Sequence, residues 1–259
     1  MSSFNSNKVA SHIIDWLNVY IKDIPVNGFI VGVSGGVDSA VVASLCARTN
    51  KKVILLNMPI RQAQSEFNRA QKQIDELTDK FDNVSGLKID LTQSFECFES
   101  ALPEYVNDNQ LAMANSRARL RMTTLYAIGQ ANGLLITGTG NKIEDFGIGF
   151  FTKYGDGGVD LNPIGDLLKS EVFELASHLE VIDEILAAKP TDGLWGDERN
   201  DEDQIGASYD ELEFAMSFNG DRSELSERQM EVLSIYEKLN SINQHKMKPI
   251  PVCNLKGIK

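Results

Sequence analysis

The chain has 259 residues, of which 42% are hydrophobic and 24% charged, and this is enough to bury the core of one α/β domain. Its formal net charge of −12 at pH 7 disfavours a general nucleic-acid binder, because such proteins need a basic face. An anionic nucleotide would therefore have to be met by local Lys and Arg side chains.

The sequence also excludes several settings and kinds of site. No apolar run reaches the roughly 18–20 residues of a membrane span, and the N-terminus lacks a secretory signal pattern, so we expect no membrane association. Cys46, Cys97 and Cys253 are scattered without C-x-x-C spacing. Neither a zinc site nor a disulfide framework is predicted, and a cytoplasmic protein is expected.

Hydrophobic periodicity predicts strands alternating with helices. An amphipathic helix opens the chain between Val9 and Ile21 and ends near Pro25. The pattern indicates an α/β fold with a doubly wound, Rossmann-like parallel sheet and helices on both faces, in one domain over 1–259. The predicted strands begin at Phe29 and cover Lys52–Met58, Leu87–Leu91 and Leu134–Thr137, and the predicted helices cover Ser65–Lys80, with Ser65 as N-cap, and Leu111–Asn132.

The glycine-rich turn after the first strand is a candidate phosphate site. A buried strand, a glycine turn and a helix N-terminus present unpaired N–H groups and a favourable dipole to an anion. No lysine follows as in a Walker loop, and the spacing of a dinucleotide fingerprint is absent. The residues are Gly32, Val33, Ser34, Gly35, Gly36, Val37, Asp38 and Ser39.

A serine hydrolase is one alternative for this stretch. Gly32-Val33-Ser34-Gly35-Gly36 satisfies the G-x-S-x-G nucleophile elbow, which would make Ser34 a nucleophile. An elbow serine needs a later histidine and an oxyanion-hole loop. Only His178 and His245 follow, and no His-Gly-Gly run precedes, so the surroundings disfavour this interpretation.

The string Ser-Gly-Gly-Val-Asp-Ser resembles the pyrophosphate loop of the ATP pyrophosphatases, which split ATP into AMP and pyrophosphate while adenylating a substrate. Asp38 puts a carboxylate where Walker loops have a lysine. A carboxylate beside a triphosphate is repelled unless a divalent cation lies between them, so Asp38 is a candidate Mg²⁺ ligand. The alternative is that Asp38 merely caps the helix.

Two later segments add charged candidates. Gly138-Thr139-Gly140-Asn141 ends another predicted strand, and Glu144 after it is either a second ligand for the same metal or an exposed first-turn acid. In the long helix, Arg117 and Arg121 share one side and Arg119 points elsewhere. These arginines are either a solvated basic face or, at Arg119, a bidentate fork for an anionic ligand.

The segment from Phe150 to Pro163 carries the most specific pattern. Its run F-F-T-K-Y-G-D-G-G-x-D-x-x-P resembles the signature loop of the NAD synthetase family. Gly-Thr-Gly-Asn-Lys-Ile-Glu resembles the G-T-x-x-x-x-E segment of that family, and Asn-Ser-Arg-Ala-Arg-Leu-Arg-Met resembles its N-x-x-A-R-x-R-M helix. The resemblance runs from the N-terminal helix to His245-Lys246. One departure is Asn141-Lys142, where many members carry Asp-His.

This resemblance implies a ligase that uses ATP and Mg²⁺ to adenylate the nicotinate carboxylate of deamido-NAD, after which ammonia displaces AMP to leave NAD. Residue by residue, it implies ATP contacts at Gly32–Ser39, Thr139, Lys169 and Thr191, and metal ligands at Asp38 and Glu144. It implies catalytic roles for Asp160 and Lys169. The implied deamido-NAD contacts are Arg119, Lys153, Asp160, His245 and Lys246.

Further expectations concern the lid, the nitrogen source and the assembly. The acidic segment from Asp192 to Gln204 is predicted to be either a mobile lid over the site or a plain loop. We expect direct use of ammonia, because no amidohydrolase domain precedes the synthetase core, and a homodimer, with the first helix and Leu111–Asn132 as candidate interfaces. The alternatives are another adenylating ATP pyrophosphatase, such as a tRNA-modifying enzyme, and a non-catalytic nucleotide-binding module.

Overall fold

A parallel β-sheet forms the centre of the protein, whose computed structural model describes residues 4–188 and 200–258. Within these ranges the sheet order is β3-β2-β1-β4, and each neighbouring pair is parallel. The predicted α/β class with a parallel sheet and flanking helices is confirmed. The strands are β1 (Gly28–Gly32), β2 (Lys52–Asn57), β3 (Val84–Lys88) and β4 (Leu134–Ile136).

Helices follow or precede each strand and continue through the C-terminal part of the chain. A π-helix over Lys142–Ile148 follows β4, and a 3-10 turn covers Arg222–Glu224. The α-helices, in order, are α1 (Ser6–Tyr20), α2 (Val37–Ala47), α3 (Gln64–Lys80), α4 (Thr92–Ser100), α5 (Glu104–Asn107), α6 (Gln110–Asn132), α7 (Lys169–His178), α8 (Asp183–Leu186), α9 (Asp201–Ile205), α10 (Tyr209–Ser217) and α11 (Glu227–Met247).

The sheet is buried on both faces because successive side chains of a strand point to opposite sides. Phe29 and Val31 of β1 pack into one apolar cluster with α1, α2 and α7. Ile30 packs into a second cluster with Phe95 of α4 and with α6. A near-continuous apolar run such as Phe29-Ile30-Val31 is therefore what a central parallel strand requires.

A third apolar cluster lies outside the sheet. Ile143 and Ile148 of the π-helix pack with residues of α9, α10 and α11, among them Ile205, Leu212 and Leu233. No helix was predicted for the residues of α9, α10 or α11. The cluster matters for the site because it anchors the π-helix that carries Glu144.

Two local predictions were wrong. The N-cap of α3 is Ala63, without a side-chain cap bond, and Ser65 lies inside the helix. The third strand begins at Val84 rather than Leu87, because its register with β2 pairs Val53 with Val84. Backbone bonds continue beyond the strand, from the Ile89 N–H to the Asn57 carbonyl at 2.9 Å. The apolar pattern persists there because Ile89 and Leu91 pack into the second apolar cluster.

The order of the strands places a crevice between β1 and β4. The chain runs from β1 outwards to β2 and β3 and then returns to the other side of β1. The loops after β1 and β4 diverge at this switch point, where parallel α/β sheets bind ligands. In the described ranges, no helix is both long and apolar enough to cross a membrane.

Candidate active site

A cavity of about 610 Å³ lies at the carboxyl ends of β1 and β4. All eight residues of Gly32–Ser39 line it. Gly35 has φ of +89°, and a Cβ there would lie 2.6 Å from the Glu66 carbonyl oxygen, so the turn requires glycine. Gly36 is the N-cap of α2, so Asp38 is not the cap residue and its side chain serves another purpose.

Asp38 and Glu144 meet at a buried lysine. The ammonium of Lys169, whose side chain is 3% exposed, lies 2.6 Å from Asp38 Oδ2 and 3.0 Å from Glu144 Oε1. Lys169 is the first residue of α7, so three separate elements converge here. The alternative interpretation of Glu144 as an exposed acid is wrong, because its side chain is only 17% exposed.

Asn141 joins the two acids through a buried amide. Its Nδ2 donates to Asp38 Oδ1 at 3.1 Å, and its Oδ1 accepts from the backbone N–H groups of Ile143 and Glu144. One side chain therefore caps the π-helix and holds Asp38. An aspartate in this position would bring a third carboxylate to the pair, and the amide avoids that repulsion.

Burial and ion pairing shift the pKa values of the two carboxyl groups in opposite directions. Burial raises the pKa of Asp38, and the charge of Lys169 offsets only part of this effect. Burial also acts on Glu144, but the charge of Lys169 and hydrogen bonds from Tyr209, Lys169 and Asn141 outweigh it, so the pKa of Glu144 is lowered. The acids in turn raise the pKa of Lys169 against the effect of burial, which keeps the ammonium charged.

Two more acids line the same cavity. Burial, with the charges of Asp156, Glu144 and Asp38 adding to it, holds the pKa of Asp145 well above its ordinary value. Burial likewise raises the pKa of Asp156 to about 6. Asp145 fits because residue 140 is glycine, where a Cβ would lie 1.9 Å from Asp145 Oδ2. A raised pKa favours the protonated form, so these two acids carry less negative charge at a given pH than ordinary aspartates do.

The donor set at this end suits a hard cation. Mg²⁺ prefers carboxylate oxygens as ligands. In this structure the ammonium of Lys169 lies between Asp38 and Glu144 and supplies the positive charge that a bound cation would otherwise supply. Among the described residues, no group of three or more His, Cys, Asp or Glu side chains is placed to hold a metal by itself. Further ligands would therefore have to be phosphate and water oxygens.

A second part of the cavity wall, which we name the basic end, carries positively charged side chains. Lys153 Nζ donates to the His245 carbonyl at 2.5 Å, and Lys246 Nζ donates to the carbonyls of Gly149 and Phe151, the latter at 2.8 Å. Arg119 Nε donates to the Lys153 carbonyl at 3.2 Å. The predicted residues Arg119, Lys153, His245 and Lys246 thus lie together along the cavity wall.

The signature loop is ordered by protein groups. Thr152 donates from its hydroxyl to Asn115 Oδ1 at 2.6 Å, and its N–H donates to Asp156 Oδ1 at 3.0 Å. A Cβ at Gly155 would lie 2.9 Å from the Ala118 Cβ, so the loop packs closely on α6. The loop is therefore in direct contact with the helical motif that contains Asn115 and Ala118.

The arginines of α6 have separate roles. Arg121 donates from Nε to the Met58 carbonyl at 2.9 Å, and burial lowers its pKa to about 10. The guanidinium of Arg117 lies 5.5 Å from the centre of the Phe95 ring. A solvated basic face is therefore wrong for these two residues. Arg119 is exposed, and both Arg119 and Arg121 line the cavity.

The remaining predicted residues divide into three groups. Thr139 lines the cavity. Asp160 accepts hydrogen bonds from the Ile136 N–H at 2.8 Å and the Tyr126 hydroxyl at 3.1 Å and is absent from the cavity wall, so its catalytic role stays a prediction. Thr191 and most of the predicted lid lie outside the described residues, whereas 200–204 begin α9, with Asn200 as its cap.

Among the residues that the structure describes, no histidine is hydrogen-bonded to the Ser34 hydroxyl, as the nucleophile of a serine hydrolase would require. The Ser34 hydroxyl accepts from the Gly36 N–H at 3.2 Å and shares a hydrogen bond with the Ser39 hydroxyl at 3.1 Å. These contacts lie within the loop, and one of them uses the N–H of Gly36. They hold the turn in shape, as an anion site requires.

Some residues of the site were not predicted as functional. We name the part of the cavity that holds Asp38, Glu144 and Lys169 the acidic end. Four residues contact or surround it: Asn141, Asp145, Asp156 and Tyr209. Asp145 follows Glu144 directly, and Asp156 lies in the signature loop, so local sequence could have suggested both. Ser208 and Glu211 form a helix-start pattern around Tyr209. No local pattern indicated that Tyr209 contacts Glu144.

Comparison with known proteins agrees with this geometry. The family model described as NAD synthase matches residues 9–250. An NH(3)-dependent NAD(+) synthetase of Mesoplasma florum is 34% identical over 237 residues, 91% of each chain. A solved NMN synthetase of Francisella tularensis is 30% identical with a TM-score of 0.86, over 97% of this chain and 100% of that one. An NH3-dependent NAD synthetase of Campylobacter jejuni has 25% identity and a TM-score of 0.78 over the same shares. The chain belongs to the NAD synthase family.

Proposed function

We propose that this chain is a ligase that amidates deamido-NAD with ammonia at the expense of ATP, giving NAD, AMP and pyrophosphate. The observation that carries the proposal is the meeting of Asp38, Lys169 and Glu144 beside the glycine turn of an NAD synthase family member. Ammonia as nitrogen donor is supported by a relative named for it that matches along 91% of both chains.

The residues of the acidic end would handle the triphosphate. The amides of the glycine turn, with Ser34 and Ser39, would hold phosphate oxygens at the N-terminus of α2. Asp38 and Glu144 would hold Mg²⁺, which, when bound, supplies charge neutralisation for the departing pyrophosphate. Lys169 would add its positive charge to the same oxygens, and no covalent enzyme intermediate is required.

The residues of the basic end would hold the acceptor. Arg119, Lys153 and Lys246 would meet the anionic groups of the dinucleotide, together with His245 and the predicted contact Asp160. Thr139 and Thr191 would complete the ATP site. Holding the nicotinate carboxylate against the α-phosphate converts a bimolecular reaction into an intramolecular one, and this positioning supplies much of the rate.

The test is a product assay with the purified chain. ATP, deamido-NAD, Mg²⁺ and ammonium should give AMP, pyrophosphate and NAD in equal amounts, and glutamine in place of ammonium should give no NAD. Formation of ADP, or no turnover with ammonium, would contradict the proposal. Exchange of labelled pyrophosphate into ATP separates an adenylating enzyme from a module that only binds nucleotide.

A second candidate acceptor is the mononucleotide of nicotinate, which would make the product NMN. The observation in its favour is the solved neighbour described as an NMN synthetase, whose TM-score of 0.86 exceeds the 0.78 of the NAD synthetase neighbour. Both acceptors present the same carboxylate to the same adenylation step. Comparing kcat/KM for the two acceptors in one assay decides between them.

We also propose a cytoplasmic homodimer. Support comes from exposed apolar residues on α1, where Val19 is 69% exposed beside Trp16 and Tyr20, and at the start of α6, where Leu111 is 59% exposed. The three cysteines are free thiols, as a reducing compartment requires. Sedimentation of the purified chain tests the dimer, and a single monomeric species at micromolar concentration would contradict it.

A further inference from the structure

Tyr209 lies directly behind the acidic end of the cavity. It is the first residue of α10, is 6% exposed and is absent from the cavity wall that Glu144 and Lys169 line. Its hydroxyl donates to Glu144 Oε1 at 2.6 Å. Its ring centre lies 4.7 Å from Lys169 Nζ. One buried side chain therefore contacts both members of the Glu144–Lys169 pair.

The two contacts act differently on the pair. A hydroxyl that donates to an ionised carboxylate restricts the rotation of that carboxylate and stabilises its charge. The face of an aromatic ring attracts an ammonium, and burial strengthens the attraction. The same Oε1 that accepts from Tyr209 also accepts from Lys169, so the hydroxyl fixes the atom on which the ion pair depends.

Tyr209 is itself held in place by its neighbours. Its backbone N–H donates to Glu202 Oε1 at 2.9 Å, and the preceding Ser208 caps α10 in a reciprocal box with Glu211. The Tyr209 hydroxyl also lies 3.4 Å from Asp201 Oδ2, in the adjoining α9. Because these contacts hold the backbone of Tyr209, its hydroxyl can orient the Glu144 carboxylate to which it donates.

We propose that Tyr209 is a positioning residue that orients the Glu144 carboxylate and the Lys169 ammonium for binding of magnesium–ATP. This inference rests on the proposed function for the identity of the ligand. Tyr209 acts through Glu144 and Lys169 rather than on the substrate. Its role is to keep one carboxylate oxygen ordered, so that the acid is already oriented when the nucleotide arrives.

Tyr209→Phe keeps the ring and removes the hydroxyl. Because a hydrogen bond to a charged group is lost, we expect the Mg²⁺ concentration for half-maximal pyrophosphate release to rise about 10- to 100-fold. In calorimetry, binding of Mn²⁺ together with a non-hydrolysable ATP analogue should weaken by a similar factor. KM for the nicotinate acceptor should not change. Tyr209→Leu, which also removes the ring, should weaken binding further.

The matched control is Tyr236→Phe. Tyr236 is a half-buried tyrosine that packs against the third apolar cluster, to which Tyr209 belongs, and it does not line the cavity. Removal of the Tyr236 hydroxyl should change neither the Mg²⁺ requirement nor the binding of Mn²⁺ and nucleotide, compared with the parent chain. An equal loss in both variants would show a general packing effect and overturn the inference.

A double-mutant cycle tests whether Tyr209 acts through Glu144. If it does, adding Tyr209→Phe to Glu144→Gln should weaken Mn²⁺–nucleotide binding by much less than it does alone. Additive losses, or normal binding in a folded Tyr209→Phe chain, would overturn the inference. If the parent chain binds Mn²⁺–nucleotide but does not adenylate the acceptor, the proposed function fails while the calorimetric comparison still decides on Tyr209.

Discussion

The two ends of the cavity hold their charged groups in opposite ways. At the acidic end, Lys169 is bound by two carboxylates, so its charge is compensated inside the protein. At the basic end, Lys153 and Lys246 donate to backbone carbonyls, which are neutral and leave the positive charge intact. The first arrangement suits a metal–triphosphate that brings its own cation, and the second suits an anionic acceptor.

The difference also predicts how much energy is lost when one charged group is removed from each end. A buried ion pair that loses one member leaves an uncompensated charge, at a large energetic cost. Removal of a cation that is bound only to carbonyls leaves neutral groups unpaired, which costs less than leaving a buried charge unpaired. Changes at the acidic end should therefore affect stability and chemistry together, whereas changes at the basic end should affect binding of one substrate.

Lys169→Met should have the largest effect. It leaves Asp38 and Glu144 buried without their cation, and we expect a loss of about 3–5 kcal/mol in the free energy of unfolding at pH 7, together with loss of activity. Urea unfolding measures the loss. Lys80→Met, which removes an exposed pair with Glu180, is the control and should leave the free energy of unfolding nearly unchanged, because water screens that pair.

The destabilisation of Lys169→Met should depend on pH. Without the lysine, repulsion and burial raise the pKa of the acids in the folded state above their unfolded values, so the folded chain binds more protons. Stability then falls as pH rises through the folded pKa, and the deficit should shrink as pH falls towards 4–5. A deficit that is constant between pH 5 and 8 would contradict charge repulsion as its cause.

Asp38→Asn should reduce the chemistry more selectively. The amide keeps the size of the side chain and removes a negative charge from the pair, and we expect pyrophosphate release to fall about 10²–10³-fold. The thermal melt should still show a single cooperative transition. A chain that releases pyrophosphate at a near-normal rate would contradict the role of Asp38 in holding Mg²⁺.

Lys246→Met tests the basic end. Burial lowers the pKa of this lysine, against the charges of Asp156 and Asp145, and its bonds to Gly149 and Phe151 hold the signature loop. We expect KM for the nicotinate acceptor to rise about 10- to 100-fold while KM for ATP stays unchanged. Equal changes in both values would show that the two ends are not separate in function.

Gly35→Ala should have the smallest effect, on the turn that borders the acidic end. A side chain at φ of +89° is strained, and its Cβ would lie 2.6 Å from the Glu66 carbonyl oxygen, so we expect a loss of about 1–3 kcal/mol in stability. The control is Gly36→Ala, where φ is −94° and the nearest atom is Ser34 Oγ at 3.4 Å. Similar losses at both positions would contradict backbone strain as the cause.

Much of the sheet and half of the site could be predicted from local patterns. The strands at Phe29, Lys52 and Leu134 were predicted within about two residues, because a buried parallel strand is apolar on both faces. The meeting of the β1 and β4 loops followed from the rule that ligands bind at strand carboxyl ends. The edge strand β3 was misplaced because its Ser85 and Gly86 carry no apolar signal.

The rest required the tertiary structure. Asn141 and Tyr209 contact their acids from positions 103 residues from Asp38 and 65 residues from Glu144, and no local spacing reports such contacts. The same holds for Asp160, whose carboxylate holds the Ile136 N–H. Sequence could name this residue as a member of a family motif but not say which groups it faces.

The sequence by itself determined which chemical groups this protein has available: a glycine turn for phosphate, acids and a lysine in the right motifs, and cations near the C-terminus. These follow from residue type and short-range spacing, which are properties of the local chain. Only the tertiary structure decided that Lys169 lies between Asp38 and Glu144 and that Tyr209 holds that pair from behind. Burial and distance set the strength of a charge interaction, and both arise when segments far apart in sequence pack together.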